Sequence, residues 1–229
     1  MNKIYSSAES AMFDISDGSV IMIGGFGVTG VPFNLIKALA RQGTKNLTII
    51  INSAGGKLPD IDISVLINNG QVKKIIASYP VYGDKVSVFE KRYLRGEIEL
   101  EVVPQGTFAE RIRAGGAGIP AFYTPTGVGT ALVNGKEKRL FNGRKYVLEF
   151  ALQADFAFVK AQKADKMGNL IYHSAARNFN PNMATAAKTT IAEVNEIVEI
   201  GQLDPEVIVT PGIYVNRVVK GERHEIRFD

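Results

Sequence analysis

The chain has 229 residues, 45% hydrophobic and 22% charged, enough to bury a substantial core in one large α/β domain or two small ones. Its 27 basic and 23 acidic residues leave a net charge of +4 with no block of like sign, so the electrostatic footprint of a nucleic-acid binder is missing. Cysteine is absent, which excludes disulfides, thiolate metal sites and a cysteine nucleophile together.

Asp17-Gly18 predicts a turn and residues 19–23 a short buried strand. A glycine-rich stretch follows, and Pro32 then suits the first turn of a helix, where its missing N–H costs nothing. Leu35, Ile36 and Leu39 recur at helical spacing until Gly43, and residues 47–51 form a β-branched second strand. Strand, helix and strand in one short span make a βαβ unit, which implies a parallel sheet. A helix over 63–67, a strand over 74–78, a helix over 86–94 and a strand over 99–103 continue the alternation up to Pro104. Residues 107–114 read as a short helix, with Thr107 and Glu110 at capping-box spacing.

Residues 115–130 crowd five glycines and two prolines among aromatics. They are too apolar for a linker and too broken for an element, so a packed functional loop is expected. Asn142-Gly143 between alternating apolar residues predicts a two-residue hairpin. A strand over 155–160, a turn at Gly168-Asn169, a helix over 183–187 and strands over 190–194 and 207–209 complete the chain. With no repeat and no linker, residues 1–229 read as a single α/β domain with a hairpin excursion.

Gly25, Gly27 and Gly30 spell G-x-G-x-x-G. Such glycines let backbone N–H groups approach an oxyanion, and a following helix N-terminus adds partial positive charge. A dinucleotide site also requires an acid about 20 positions on, at the end of the second strand. Asn52 stands there, and the first downstream acid is Asp60. A Walker loop fails too, because Gly56-Lys57 is followed by Leu58. Two readings remain: a tight structural turn, or a cradle for some other anion. His173 and His224 are too far apart for a local metal motif and read as surface or packing residues. No stretch reaches the length of a membrane span and "MNKIYSSAESAMFDISDG" lacks an apolar signal core, so a cytoplasmic protein without membrane contact is expected.

Several blocks, in order, carry a resemblance. Asp17-Gly18 followed by Gly24-Gly25-Phe26-Gly27-Val28-Thr29-Gly30-Val31-Pro32, "INSAGG" at 51–56, and "VVPQGTFAERIRAGGAGIPAFYTPTGVGT" at 102–130 are three of them. "GNLIYHSAARNFNPNMATAAKTTIAEVNEIVEIGQLDPE" at 168–206 and the final "VNRVVKGERHEIRFD" complete the set. Together they resemble the family I coenzyme A transferases, the long middle block being similar to the 3-oxoacid members. The resemblance implies an open three-layer α/β/α fold with a mostly parallel sheet. It also implies transfer of CoA from succinyl-CoA to a 3-oxoacid such as acetoacetate, by a ping-pong mechanism. CoA and acyl-CoA would be substrates, with no permanently bound cofactor and no metal.

In that family two homologous halves act together, and the nucleophilic glutamate lies in the second, within Ser-Glu-Asn-Gly. No Ser-Glu-Asn occurs in this chain. The resemblance therefore implies the first half, inactive without its homologous B subunit, in an A2B2 heterotetramer. By the same resemblance Gly24, Gly25, Phe26, Gly27, Val28, Thr29 and Gly30 face CoA or the acyl group. Asn52 and Gln105 donate hydrogen bonds to the substrate, Gly115, Gly116 and Gly118 line the cavity, and Phe122 and Tyr123 wall it. Ile51 replaces the first of two asparagines usual in the family, which either alters acid preference or concerns a core-facing position. Bland alternatives stand beside these: an Asx-turn for Asn52, a self-satisfied loop amide for Gln105, interface packing for the aromatic stretch. Other functions left open are acetate or butyrate transfer, a non-catalytic CoA- or ligand-binding domain, and a sugar-phosphate isomerase-like domain.

Overall fold

Residues 20–23, Val-Ile-Met-Ile, set the layering of the molecule. Side chains alternate across a strand, so Ile21 and Ile23 join one buried apolar cluster while Met22 joins the other. The computed structural model describes residues 2–222 apart from 56, 57, 59, 60, 82, 84 and 85. The Gly56-Lys57 turn, Asp60, His224 and the end of the final block lie outside the described residues.

The first part of the chain runs β1 (Ile4–Tyr5), α1 (Ala8–Ala11), β2 (Val20–Ile23), α2 (Phe33–Gln42), β3 (Leu47–Ile51), α3 (Ser64–Asn68), β4 (Val72–Ala77), α4 (Val88–Leu94), β5 (Glu99–Val102) and α5 (Gln105–Gly116). The second runs β6 (Ala121–Thr124), β7 (Lys138–Phe141), β8 (Arg144–Phe150), β9 (Ala154–Asp165), β10 (Leu170–Ile171), α6 (Asn180–Thr185), β11 (Ala187–Val198) and β12 (Arg217–Lys220). Among the described residues the main sheet has nine strands, in the order β1-β12-β11-β9-β2-β3-β4-β5 with β10 on β9. Only the β10–β9 pair is antiparallel. The mostly parallel α/β/α sheet implied by the resemblance is therefore present. Buried side chains of α1 to α4 cover one face of the sheet. Those of α5 and α6 cover the other, where Phe108 meets Phe179 edge-on at 5.4 Å between ring centroids.

The excursion is a three-stranded antiparallel sheet in the order β6-β8-β7. Its β7–β8 hairpin turns at Asn142 (φ 49°) and Gly143 (φ 76°), the two positive φ values that a type I′ turn demands. β6 is a correction to the sequence reading: residues 121–124 pair with β8, so part of the glycine-rich stretch is a strand. A broken local pattern concealed it because its partner lies more than twenty residues on.

Other departures have local causes. Helix α5 begins at Gln105 behind Pro104, with no side-chain cap. Thr107 is buried inside the helix, its hydroxyl without a partner among the described residues, and Glu110 pairs with Arg113. The capping box is real elsewhere, at Ser87 and Glu90 of α4. The strand expected over 207–209 is not formed: Val207 ends a 3-10 turn over Pro205–Val207, and residues 208 and 209 belong to no strand. The outer strands β1 and β12 pair in parallel at the sheet edge, too short to show a period in the sequence.

Adjacent strands β2 and β9 feed helices on opposite faces, α2 on one and α6 on the other. That makes β2/β9 the point where strand order reverses, and in open α/β sheets the crevice at the strand carboxyl ends there is the usual ligand position. Residues 24–30 leave β2 at that crevice.

Candidate active site

Ile23 pairs with Ile51 and Ser53 bridges Tyr79, so Gly24, Asn52 and Ser78 emerge side by side from neighbouring strands. The loop 24–30 is a tight turn of its own. Phe26 N donates to Thr29 O at 3.2 Å and Thr29 N returns to Phe26 O at 2.9 Å, leaving Gly27 and Val28 at the tip. Gly24 N donates to Phe158 O at 2.9 Å and Gly25 N to Asn178 Oδ1 at 3.1 Å. Four of the seven amides are thus spent inside the protein. Among the described residues the amides of Gly27, Val28 and Gly30 have no such partner.

Two glycines of the loop are there for contact. A Cβ on Gly24 would lie 1.8 Å from Asn180 Oδ1, and one on Gly30 2.5 Å from Ala176 O, at a φ of 69° that also disfavours side chains. Phe26, half exposed, projects at the surface.

Beside the loop, Asn52 is buried and its amide is fully oriented. Its Oδ1 accepts from Ser78 Oγ at 2.5 Å and from Gln105 Nε2 at 2.9 Å, and its Nδ2 donates to Ser53 Oγ at 3.0 Å. The structure thus brings Asn52 and Gln105 together, Gln105 being exposed at the first position of α5. The side chain of Ile51 lies in the core with the α2 layer, so the position where the family usually has asparagine faces inward here.

The helix charges differ from the simplest picture of a glycine loop followed by an open helix N-terminus. At the start of α2 the carboxylate of Glu193, from β11, accepts from Asn34 N (2.9 Å), Leu35 N (3.1 Å) and Asn34 Nδ2 (2.8 Å). Lys160 Nζ donates to it at 3.0 Å. Glu193 is 1% exposed, so that N-terminus is already occupied by the protein's own anion. The start of α5 is different: Phe108 N, bonded to Pro104 O, makes its first helical bond, and the amides before it have no side-chain cap. The start of α5, which carries Gln105, is thus a helix N-terminus without a side-chain cap at this edge of the sheet.

Gly115 and Gly116 stand about 15 Å along α5 from Gln105 at 1.5 Å per residue. A Cβ there would meet Leu152 O at 2.0 Å and Thr185 Oγ1 at 2.1 Å, so these two glycines serve close helix packing. Gly118 (φ 72°) sits in the turn after the helix, with open space around it. Phe122 and Tyr123 belong to β6, where the Tyr123 hydroxyl bonds Glu137. The structure therefore separates the glycine loop, Asn52 and Gln105 from the 115–123 group. Sequence reading missed Asn178, Asn180, Ser78 and Glu193. Asn178 and Asn180 lie within a block quoted for its resemblance, but only the folded contact reveals that they hold the loop. His173 is exposed, and among the described residues no group of metal-ligating side chains is assembled. No helix among them is long and apolar enough to cross a membrane.

Comparison with known proteins agrees with the fold. Residues 5–221 match the family model described as Coenzyme A transferase. The chain is 55% identical to the A subunit of the 3-oxoadipate CoA-transferase of Pseudomonas putida, over 96% of this chain and 94% of that protein. It is 53% identical to the A subunit of the probable succinyl-CoA:3-ketoacid coenzyme A transferase of Bacillus subtilis (strain 168), over 100% of this chain and 94% of that one. The solved glutaconate coenzyme A-transferase of Acidaminococcus fermentans shares 25% identity with a TM-score of 0.83, over 95% of this chain and 75% of that chain. A family match across nearly the whole length, with a fold to suit it, settles the assignment: this chain belongs to the coenzyme A transferase family.

Proposed function

We propose that this chain is one half of a CoA-transferase that moves CoA from succinyl-CoA to a 3-oxoacid, and that a homologous B subunit supplies the glutamate nucleophile. The observation that carries this reading is a half-complete site. Amide donors with no partner among the described residues stand at the switch point, while Glu193, the buried carboxylate at the start of α2, is held by four donors and unable to attack. An anion-stabilising surface without its own nucleophile fits a shared active site.

In the proposed sequence the partner's glutamate attacks the succinyl thioester carbonyl, and the C–S bond breaks to give a mixed anhydride and CoA thiolate. The thiolate attacks the glutamyl carbonyl, releasing succinate and leaving a glutamyl-CoA thioester. The 3-oxoacid carboxylate then runs the same two steps in reverse. Each step passes through a tetrahedral oxyanion, which fixed N–H donors stabilise without reorganising. The Gly27, Val28 and Gly30 amides are the donors available for it, and Phe26 would shield the acyl group. Asn52, Gln105 and the open start of α5 offer a second anion-binding surface, suited to the substrate carboxylate. Gly118 and the β6 aromatics would lie outside this inner site, toward the rest of CoA. CoA is a substrate here and no resident cofactor takes part; the assembly is A2B2 and cytoplasmic.

The specific acceptor is either acetoacetate or 3-oxoadipate. The second is favoured by the 55% identical relative named for it, and a dicarboxylate would draw on both anion-binding surfaces. The test is to co-purify the chain with a Ser-Glu-Asn-Gly partner and supply succinyl-CoA with acetoacetate, 3-oxoadipate, acetate and butyrate in competition. A 3-oxoacyl-CoA product is expected. An intact complex that forms only acetyl- or butyryl-CoA, or no thioester at all, overturns the proposal.

A further inference from the structure

The loop 24–30 joins β2 to α2, yet much of its shape is imposed by a segment more than 140 residues away. Asn178 stands between the loop's two arms. Its Oδ1 accepts from Gly25 N at 3.1 Å and from Phe179 N at 2.7 Å. Its Nδ2 donates to Thr29 O at 3.0 Å and to Ala175 O at 2.9 Å. One side chain thus accepts from the entering arm and donates to the leaving arm, anchored in its own segment at both ends. Asn180 supports it from below: it is fully buried, donates to Gly30 O at 3.0 Å and to Ala176 O at 2.9 Å, and accepts from Lys160 N at 2.9 Å. Glycine at 24 and 30 is what lets this segment approach so closely.

The clasp decides which amides remain available. It occupies Gly25 N and two carbonyls, Thr29 O and Gly30 O, that would otherwise offer negative partial charge at the loop. The Phe26–Thr29 turn is closed between the two clasped arms, and Gly27, Val28 and Gly30 keep free donors. No other side chain among the described residues bridges both arms.

We propose that Asn178 is a positioning residue for CoA transfer: it touches neither substrate nor nucleophile, and holds the loop amides in the geometry that receives the thioester oxyanion. This rests on the function proposed above. An asparagine suits the task because one planar group must accept on one edge and donate on the other. A donor fixed before reaction is worth far more than one that must be oriented during it.

Two measurements separate this inference from the function itself. In the chain alone, amide hydrogen exchange of Asn178→Ala is compared with the wild type. Exchange at Gly25, Phe26 and Thr29 is expected to rise about tenfold while core strands keep their protection. In the complex with its B partner, kcat is expected to fall about 10- to 100-fold, with KM for succinyl-CoA changed by less than about threefold. If the alanine variant does not fold, Asn178→Asp replaces it: the shape and the acceptor toward Gly25 remain, the donor toward Thr29 is lost, and both readouts should move in the same direction. Unchanged loop exchange with unchanged kcat overturns the proposal. So does a rise in KM alone, which would mark a binding contact, or a kcat loss matched by exchange throughout the chain. An inactive wild-type complex defeats the proposed function, while the exchange result still decides whether Asn178 holds the loop.

Discussion

Thr107 shows how much a single residue's surroundings can reverse its meaning. Three positions before Glu110 it has the spacing of a helix cap, yet Pro104 starts the helix earlier and Thr107 is carried into the buried face. Its hydroxyl then has no partner among the described residues, and an unpaired buried polar group costs about 1–3 kcal/mol. Replacing it by the isosteric valine removes that cost without opening a cavity. Thr107→Val is therefore expected to raise the free energy of unfolding by about 1 kcal/mol, measured by urea denaturation. A loss of stability would mean the hydroxyl has a role the fold does not reveal. At the same scale, Asn52 carries weight because its amide is oriented by three neighbours. Its position after a strand was legible in the sequence. Its partners Ser78 and Gln105, which come from two other connections, were not.

Elements were legible in proportion to how local their causes are. Helix α2, bounded by Pro32 and Gly43, and strand β3 lie where the apolar period and the punctuation place them, and the Asn142-Gly143 hairpin follows from positive φ alone. Strands β6, β1 and β12 depend on distant partners and left little trace in the sequence. The β12 edge is fastened by such a contact. Arg217 grips both oxygens of Asp14 at 2.6 Å and bonds Ala11 O at 2.7 Å, tying the last described strand to the connection between α1 and β2. The Arg217 hydrogen bond chiefly holds the Asp14 carboxyl below its usual range, with burial working against it. A carboxyl lowered in the folded state stabilises the fold above its unfolded pKa of about 3.9, and that contribution fades as pH falls through the folded value. Asp14→Asn should therefore be less stable than the wild type at neutral pH, and the gap should close below about pH 4. A gap that stays constant on acidification would show that the ion pair contributes nothing at this edge.

At the scale of the whole molecule, the sequence carried the parallel sheet and, through ordered blocks, the family. The assembly of the site needed the fold. Switch-point topology brings residues 24–30, 52 and 105 to one crevice, and the length of α5 removes Gly115 and Gly116 from it. The segment at 174–180 enters from the far half of the chain to hold the loop. On the function proposed above, the surface these segments form receives the developing oxyanion, and the attacking carboxylate comes from the B subunit. The most direct measurement is a crystal structure of the chain with its B partner and bound acyl-CoA. An amide of Gly27, Val28 or Gly30 within about 3 Å of the thioester oxygen, with the partner's glutamate on the acyl carbon, is the predicted result. A thioester oxygen held elsewhere, with those three amides facing solvent, would contradict it.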